Sequence, residues 1–226
     1  MNGVITNGLS IIIGTALGLL LRKQLKTEIK NLMMSALAFC VIIIGIKDAF
    51  DMNNPILILI SVIAGGAIGH MMGIEKRLNG FAGIIEAKYS KEGDTSSVGQ
   101  GFIMSTIIFC VGAMSIMGSI KAGISGDHSL LYVKTMLDGV SSMIFASTMG
   151  FGVGLSVVPV VIYQGLIYIF ASYLQPIMTP EIVTELSAVG GIIVMMIGFN
   201  ILELKKMPIA DFLPAIVIPV IYGLIF

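Results

Sequence analysis

The chain has 226 residues and no formal net charge, and its composition excludes a soluble globular domain. Hydrophobic residues make up 56% of it and charged residues only 12%, whereas a soluble domain usually has about 25% charged residues. A chain with a mean hydropathy of +1.01 cannot cover its surface with polar groups in water, and its long apolar runs disfavour a β-barrel. We predict an all-α fold, a polytopic transmembrane helical bundle in the lipid bilayer, and no nucleic-acid partner.

Eight stretches are long and apolar enough to cross a bilayer, for which a helix needs about 20 mostly apolar residues. The first stretch is followed, not preceded, by positive charges and has no small-x-small cleavage site. We therefore expect a retained helix and not a signal peptide. Residues 135–175 form one run that is divided near Ser156–Pro159, and either two spans or a broken, re-entrant helix fits it. The eight spans are predicted at about 4–21, 32–50, 55–73, 101–120, 135–154, 156–175, 186–203 and 209–226.

The positive residues predict the orientation of these spans. The positive-inside rule puts the three basic connections in the cytoplasm and both termini outside a cell (cytoplasmic) membrane. The longest connection, 74–100, contains an amphipathic piece, which fits either a helix on the cytoplasmic membrane surface or a solvated connector. One side carries Arg22, Lys23, Lys26, Lys30, Lys76, Arg77, Lys88, Lys91, Lys205 and Lys206, and the other carries Lys47, Lys121 and Lys134.

Small residues and a weak repeat indicate how the helices pack. Gly14 and Gly18 have the G-x-x-x-G spacing, and Gly65, Gly66 and Gly69 follow in the third span. Such spacing lets helix backbones approach closely, either within the chain or in a homo-oligomer. The path from Gly45 through Lys47 to Pro55 also resembles the path from Gly198 through Asn200 to Pro208 at one constant offset. This match favours an inverted repeat relating helices 1–3 to helices 6–8, as in many secondary transporters.

The fifth span carries the densest set of polar side chains. The positions Asp138, Ser141, Ser142, Phe145 and Thr148 or Met149 fall on one helical face at i+3/i+4 steps. A charged residue at the centre of a span costs about 2.5–3.5 kcal/mol on insertion scales, so such groups face protein or water. We predict that this face lines a cavity. The alternative is that each hydroxyl bonds the carbonyl one turn earlier in its own helix.

Polar residues in other spans extend the candidate set. Gln164 either contacts a substrate or forms a helix–helix hydrogen bond, and Glu185 fits a cap of its own helix as well as a binding role. No catalytic residue, metal site or cofactor is expected, because the sequence has no H-E-x-x-H, no G-x-S-x-G and no ligand cluster of metal-binding spacing. The candidate substrate- or ion-binding residues are Asp138, Ser141, Ser142, Thr148, Gln164, Glu185, Ser187, Asn200 and Asn7.

Six motifs resemble those of the bacterial YdfK/YqgA-like family, known as domain of unknown function 554. The resemblance covers nearly the whole chain and implies an integral membrane protein of the kind described as a transporter, without a substrate. The motifs are F-C-V-G-A-M (109–114), L-D-G-V-S-S (137–142), F-A-S-T-M-G (145–150), V-P-V-V-I-Y-Q-G (158–165), E-L-S-A-V-G-G (185–191) and I-G-F-N (197–200).

The sequence favours a secondary transporter of a small solute or ion over an enzyme. This hypothesis depends on the polar lining, the glycine-rich helices and the repeat. Two alternatives stay open: a channel at an oligomer axis, and a non-transporting scaffold or sensor that uses the 74–100 connection as its partner surface.

Overall fold

The computed structural model describes residues 1–24, 26–89 and 98–225. These residues are almost entirely helical and contain no strand, which confirms the all-α prediction. A 3₁₀ helix, Ile209–Ile216, precedes the last α-helix. The α-helices are α1 (Asn2–Gln24), α2 (Thr27–Phe50), α3 (Pro55–Met72), α4 (Ile74–Tyr89), α5 (Val98–Val111), α6 (Ala113–Ser125), α7 (Ser129–Met149), α8 (Gly152–Leu155), α9 (Val157–Ile169), α10 (Ala171–Leu174), α11 (Pro180–Ile201) and α12 (Val217–Ile225).

Several helices have the length and composition of membrane spans. Within the described residues, five helices are long and apolar enough to cross a membrane, or up to six if a bent pair counts as one span. The count of eight therefore stays a prediction. Large apolar side chains cover the outer faces of the helices, with Phe50, Met71, Met136 and Tyr173 each more than 70% exposed. Such a surface suits a hydrocarbon solvent and not water.

Several predicted spans differ from the helices observed, among them 209–226, which is a 3₁₀ helix followed by α12. The stretch 101–120 is not one helix but two, α5 and α6, bent by 56° at Gly112, whose extended backbone interrupts the helix. In the run 135–175, α7 begins earlier than predicted, at Ser129, and ends before a break at Gly150. A second interruption, at Ser156 between α8 and α9, falls within the predicted division at Ser156–Pro159. Gly150 has φ 84°, a left-handed conformation that favours glycine, whereas a proline in the first turn of a helix is tolerated.

The first helix packs against two partners that run in opposite directions. The contacts with α7 ascend together along both helices, from Gly3 against Leu131 to Gly18 against Ala146, so α1 and α7 are parallel. Along α8 and α9 the order is reversed, because Asn7 meets Gln164, Gly8 meets Val161 and Thr15 meets Gly154. Since α7 and α9 are antiparallel, they form a hairpin around the break at Gly150, which favours two crossings over a re-entrant loop.

Two further pairs are antiparallel. Gly45 of α2 approaches Gly191 and Met195 of α11, while Gly198 of α11 approaches Ala38 and Ile42 of α2. In the next pair, α3 packs on the 3₁₀ helix: Gly65 meets Ala215, Gly66 meets Phe212, and Gly69 meets the carbonyl of Asp211. The glycines of α1 and α3 are thus occupied by contacts within the chain.

The long connection begins as a helix. Ile74–Tyr89 form α4, which packs against α5 and the 3₁₀ helix. Its start is fixed by reciprocal bonds: the Glu75 nitrogen donates to Asp211 Oδ1, and the Ala210 nitrogen donates to Glu75 Oε2. The rest of the predicted connection, 90–97, lies outside the described residues.

The glycine contacts between α2 and α11 generate a stability prediction. A methyl group added by Gly45→Ala overlaps the Gly191 carbonyl oxygen, and one added by Gly198→Ala overlaps Ile42. Overpacking of this kind costs about 1–3 kcal/mol, so both variants should unfold at lower temperature in detergent, as followed by circular dichroism.

A matched control is Gly80→Ala in α4, where an added methyl meets nothing within 4 Å. There alanine gains up to about 1 kcal/mol of helix propensity, so this variant should be as stable as the parent or more stable. Equal unfolding temperatures for all three variants would contradict the packing described.

Candidate functional site

A buried ion pair on α7 is the centre of the candidate site. Lys134 and Asp138 are one helical turn apart, and Lys134 Nζ lies 2.6 Å from Asp138 Oδ2. Their side chains are only 7% and 8% exposed. The ammonium group also lies 5.9 Å from the centroid of the Phe109 ring, within the range of a cation–π interaction. Both charges are therefore withdrawn from lipid and from bulk water.

Two amide side chains connect this ion pair to neighbouring helices. Asn7 of α1 donates from Nδ2 to Asp138 Oδ2 at 3.0 Å and to Gln164 Oε1 at 3.3 Å. Gln164 of α9 donates from Nε2 to Ser115 Oγ of α6 at 3.3 Å. Asn7, Ser115 and Gln164 are each fully buried. We call these five residues, Asn7, Ser115, Lys134, Asp138 and Gln164, the polar network.

The network ends at the bend between α5 and α6. Because the helix is interrupted at Gly112, the Phe109 carbonyl oxygen accepts a 2.8 Å bond from the Ser115 hydroxyl six residues later. Phe109 thus contributes its carbonyl oxygen to Ser115 and its ring to Lys134. An interrupted helix inside a bundle needs such partners, because lipid supplies none for a free carbonyl.

Two polar atoms beside these bonds have no partner. Asn7 Oδ1 and Ser119 Oγ, the latter one turn beyond Ser115 on α6, are buried without a hydrogen bond to any described residue. A buried unsatisfied polar atom costs about 1–3 kcal/mol. The site therefore combines one positive charge, one negative charge, two amides and two polar atoms without a partner among the described residues.

The structure brings together three of the predicted site residues, Asn7, Asp138 and Gln164. The hydroxyl groups behave differently, since each bonds a carbonyl of its own helix: Ser142 bonds Gly139, Thr148 bonds Phe145, and Ser187 bonds Val183. Ser141 lines a separate, mostly apolar cavity of about 270 Å³ between α2, α5 and α7. These four residues do not join the network.

The two remaining candidates hold connections between helices. Asn200 donates to the Met207 carbonyl and accepts from the Met207 nitrogen, both at 2.9 Å, and so closes the turn after α11. Glu185 does not cap its own helix, a role that Thr179 fills by accepting from the Ile182 nitrogen. It instead accepts bonds from the main chain ahead of α3.

Sequence reasoning missed Lys134 and Ser115. Lys134 was assigned to an outer connection because the span was predicted to start at 135. The available signal was the i,i+4 spacing of Lys134 and Asp138, which places opposite charges on one helical face. No comparable signal marks Ser115, because its role depends on the bend at Gly112. Among the described residues, no group of three or more His, Cys, Asp or Glu could hold a metal ion.

Removing one partner of the ion pair should destabilise the protein more than replacing both partners with apolar residues. Lys134→Met leaves Asp138 buried without its cation, and removal of one partner of a buried pair costs about 3–5 kcal/mol. The double variant Lys134→Met/Asp138→Leu leaves no unpaired charge and should regain most of that loss. Thermal unfolding in detergent tests this order, and a double variant as unstable as the single one would refute it.

Comparison with known proteins agrees with the resemblance in the motifs. Residues 2–224 match a family described as "Protein of unknown function (DUF554)". The chain is 33% identical over 223 residues to "Uncharacterized membrane protein YdfK" of Bacillus subtilis (strain 168), covering 97% of this chain and 94% of the relative. It is 28% identical over 219 residues to "Uncharacterized protein YqgA" of Escherichia coli (strain K12), covering 96% and 93%. No solved structure matches. The chain belongs to the DUF554 family.

Proposed function

We propose that this chain is a secondary transporter that carries a small solute or ion across the cell membrane. The observation that carries the proposal is the polar network, in which α1, α6, α7 and α9 place an ion pair, two amides and a hydroxyl in one buried cluster. Ionisable groups inside a membrane are costly, and they commonly mark substrate or ion pathways. The proposed role is transport, not catalysis.

The proposal includes an inverted repeat, which would permit alternating access around this cluster. Gly198 stands 153 positions after Gly45, and the same offset separates Gly191 from Ala38 and Met195 from Ile42. Each of these two glycines lies where its helix approaches the other one: Gly45 approaches Gly191 and Met195, and Gly198 approaches Ala38 and Ile42.

The same offset recurs in other elements. α2 begins at Thr27 and α11 at Pro180, 153 positions later, and Gly8 of α1 approaches Val161 of α9 at this offset too. These matches support a proposed repeat in which α1, α2 and α3 correspond in order to α9, α11 and the C-terminal helices. Inverted repeats let one half of a transporter rock against the other and expose one site to either side.

The two ends of the bundle differ in their polar groups. A polar cavity of about 280 Å³ opens at the end assigned to the cytoplasm, and its lining includes Glu75, Asn79, Glu203 and Lys206. At the opposite end, Glu185 bonds the connection between α2 and α3.

The proposed orientation makes a topology prediction. In a cysteine-free background, Ser125→Cys should react with a membrane-impermeant maleimide added to intact cells, whereas Glu203→Cys should react only after the membrane is permeabilised. Both parent residues are exposed and lie at opposite ends of the bundle. Labelling of Glu203→Cys in intact cells would show that the orientation is the reverse of the one proposed.

Reconstitution tests transport directly. Purified protein in liposomes on a solid-supported membrane should give saturable currents with at least one of a panel of inorganic ions, carboxylates and amino acids. Asp138→Asn, which removes the charge from the network, should abolish the current, whereas Asp127→Asn in the exposed turn before α7 should not. No current with any solute defeats the proposal, and unitary conductance steps in planar bilayers indicate a channel instead.

A further inference from the structure

An apolar cavity that includes no residue of the polar network runs along α5. Its volume is about 350 Å³, and its walls come from α5, α9, the 3₁₀ helix and α12, with Leu78 of α4 at the end assigned to the cytoplasm. On α5 the lining extends from Phe102 to Val111, a length of about 14 Å at the rise of an α-helix. Nearly all of the lining side chains are hydrocarbon. We call this space the α5 cavity.

The α5 cavity opens towards the bilayer. Val217 lines it and is 53% exposed, and Val158, which precedes the lining residue Pro159, is 57% exposed. An apolar cavity does not hold ordered water, because it offers the water no hydrogen-bonding partners. Hydrocarbon from the surrounding bilayer is therefore the occupant that this lining suits.

One hydroxyl group in the cavity lacks the bond that its neighbour makes. Thr106 lines the cavity, and its Oγ1 is buried without a hydrogen bond to any described residue. The adjacent Ser105 instead donates to the Gly101 carbonyl at 2.6 Å, as hydroxyl groups in helices commonly do. Thr106 lies about 6 Å, one turn, deeper than Phe102. It therefore keeps a hydrogen-bond donor for a partner inside the cavity.

Two basic side chains stand at the cytoplasmic end of the cavity. Lys76 and Arg77 directly precede Leu78, and both are exposed. Neither forms a salt bridge with another residue in the part of the chain that the structure describes. The acid beside them, Glu75, is engaged elsewhere, because it accepts a bond from the Ala210 nitrogen. Two positive charges thus face the region where an anionic headgroup would lie.

We propose that the α5 cavity binds one anionic phospholipid, with its phosphate at Lys76 and Arg77 and one acyl chain inside. A phospholipid carries, in order, a phosphate, ester carbonyl oxygens and hydrocarbon. The protein presents matching groups in the same order from the surface inwards: two cations, the Thr106 hydroxyl as a donor, and apolar walls as far as Val111. Basic residues next to a membrane helix attract anionic lipids. The bound chain joins α5 to the C-terminal helices, and this role does not depend on transport.

Tryptophan fluorescence tests the site, because the chain contains no tryptophan of its own. Tyr163→Trp places a reporter in the wall of the cavity, and Phe39→Trp places a control on α2, where Phe39 is 58% exposed. Each variant is reconstituted in phosphatidylcholine vesicles that contain a small fraction of a lipid with brominated chains, which quench tryptophan on contact.

The two reporters should respond differently to the headgroup of the quencher. Brominated phosphatidylglycerol should quench Tyr163→Trp at lower concentration than brominated phosphatidylcholine, by about fivefold for each basic residue that the phosphate meets. Phe39→Trp should be quenched equally by both lipids. Equal quenching of Tyr163→Trp by both lipids overturns the proposal.

Charge variants test the headgroup contact. In the Tyr163→Trp background, Lys76→Gln/Arg77→Gln should remove the preference for phosphatidylglycerol. Lys121→Gln should keep it, because Lys121 is exposed at the opposite end of the bundle. Thr106→Val, which has the same shape without the hydroxyl group, should need more phosphatidylglycerol for half-quenching. A preference that survives in the double variant refutes the assigned phosphate position and with it the proposal.

Native mass spectrometry of the parent chain needs no substitution. On titration with both lipids in mild detergent, the chain should take up one phosphatidylglycerol before any phosphatidylcholine. Val217→Phe adds a ring where Val217 lines the cavity and should prevent this uptake, whereas Val133→Phe on α7, where Val133 is 50% exposed, should bind as the parent does. No selective adduct on the parent, or equal adducts on both variants, overturns the proposal. Selective binding is expected whether or not the chain gives a current in liposomes.

Discussion

The other features of this protein depend on close contact between helix backbones. Such contact is possible only where glycines leave out a side chain. The side chains of Asn7 and Asp138 are short, yet their polar atoms lie 3.0 Å apart. They meet because α1 and α7 approach closely where Gly14 faces the Gly139 carbonyl. Lipid provides no hydrophobic drive between helices, so this packing also supplies much of the association energy. The polar network therefore depends on the same glycine contacts that hold the helices together.

The polar side chains fall into two classes with different partners. In the network, side chains bond side chains of other helices, and charge is balanced within α7 by Lys134 and Asp138. At the ends of the bundle, Glu75, Glu185 and Asn200 bond main-chain groups and fix the connections between helices. The first class holds the helices together at depth, and the second determines how their ends can move.

Much of the fold was predictable, because apolar length identifies helices without knowledge of their neighbours. Asn7, Asp138 and Gln164 could be singled out because polar groups in apolar stretches need partners. Their mutual contact could not, since three separated helices determine it. Lys134 was assigned to a connection because the apolar stretch was predicted to begin one residue later. The bend at Gly112 is not visible in the hydropathy of the sequence. Asn200 had the right chemistry for a ligand, but its nearest partner is its own turn.

The distance along the chain between Asn7 and its partners also has a consequence for synthesis in the cell. Asn7 is separated from Asp138 by 131 residues and from Gln164 by 157. At a translation rate of about 5–20 residues per second, α1 waits on the order of ten seconds before α7 leaves the ribosome. Throughout that interval an amide and a glycine face have no partner in lipid. We therefore expect the membrane insertion machinery to retain α1, so that its amide and glycine face stay out of lipid until α7 has been synthesised.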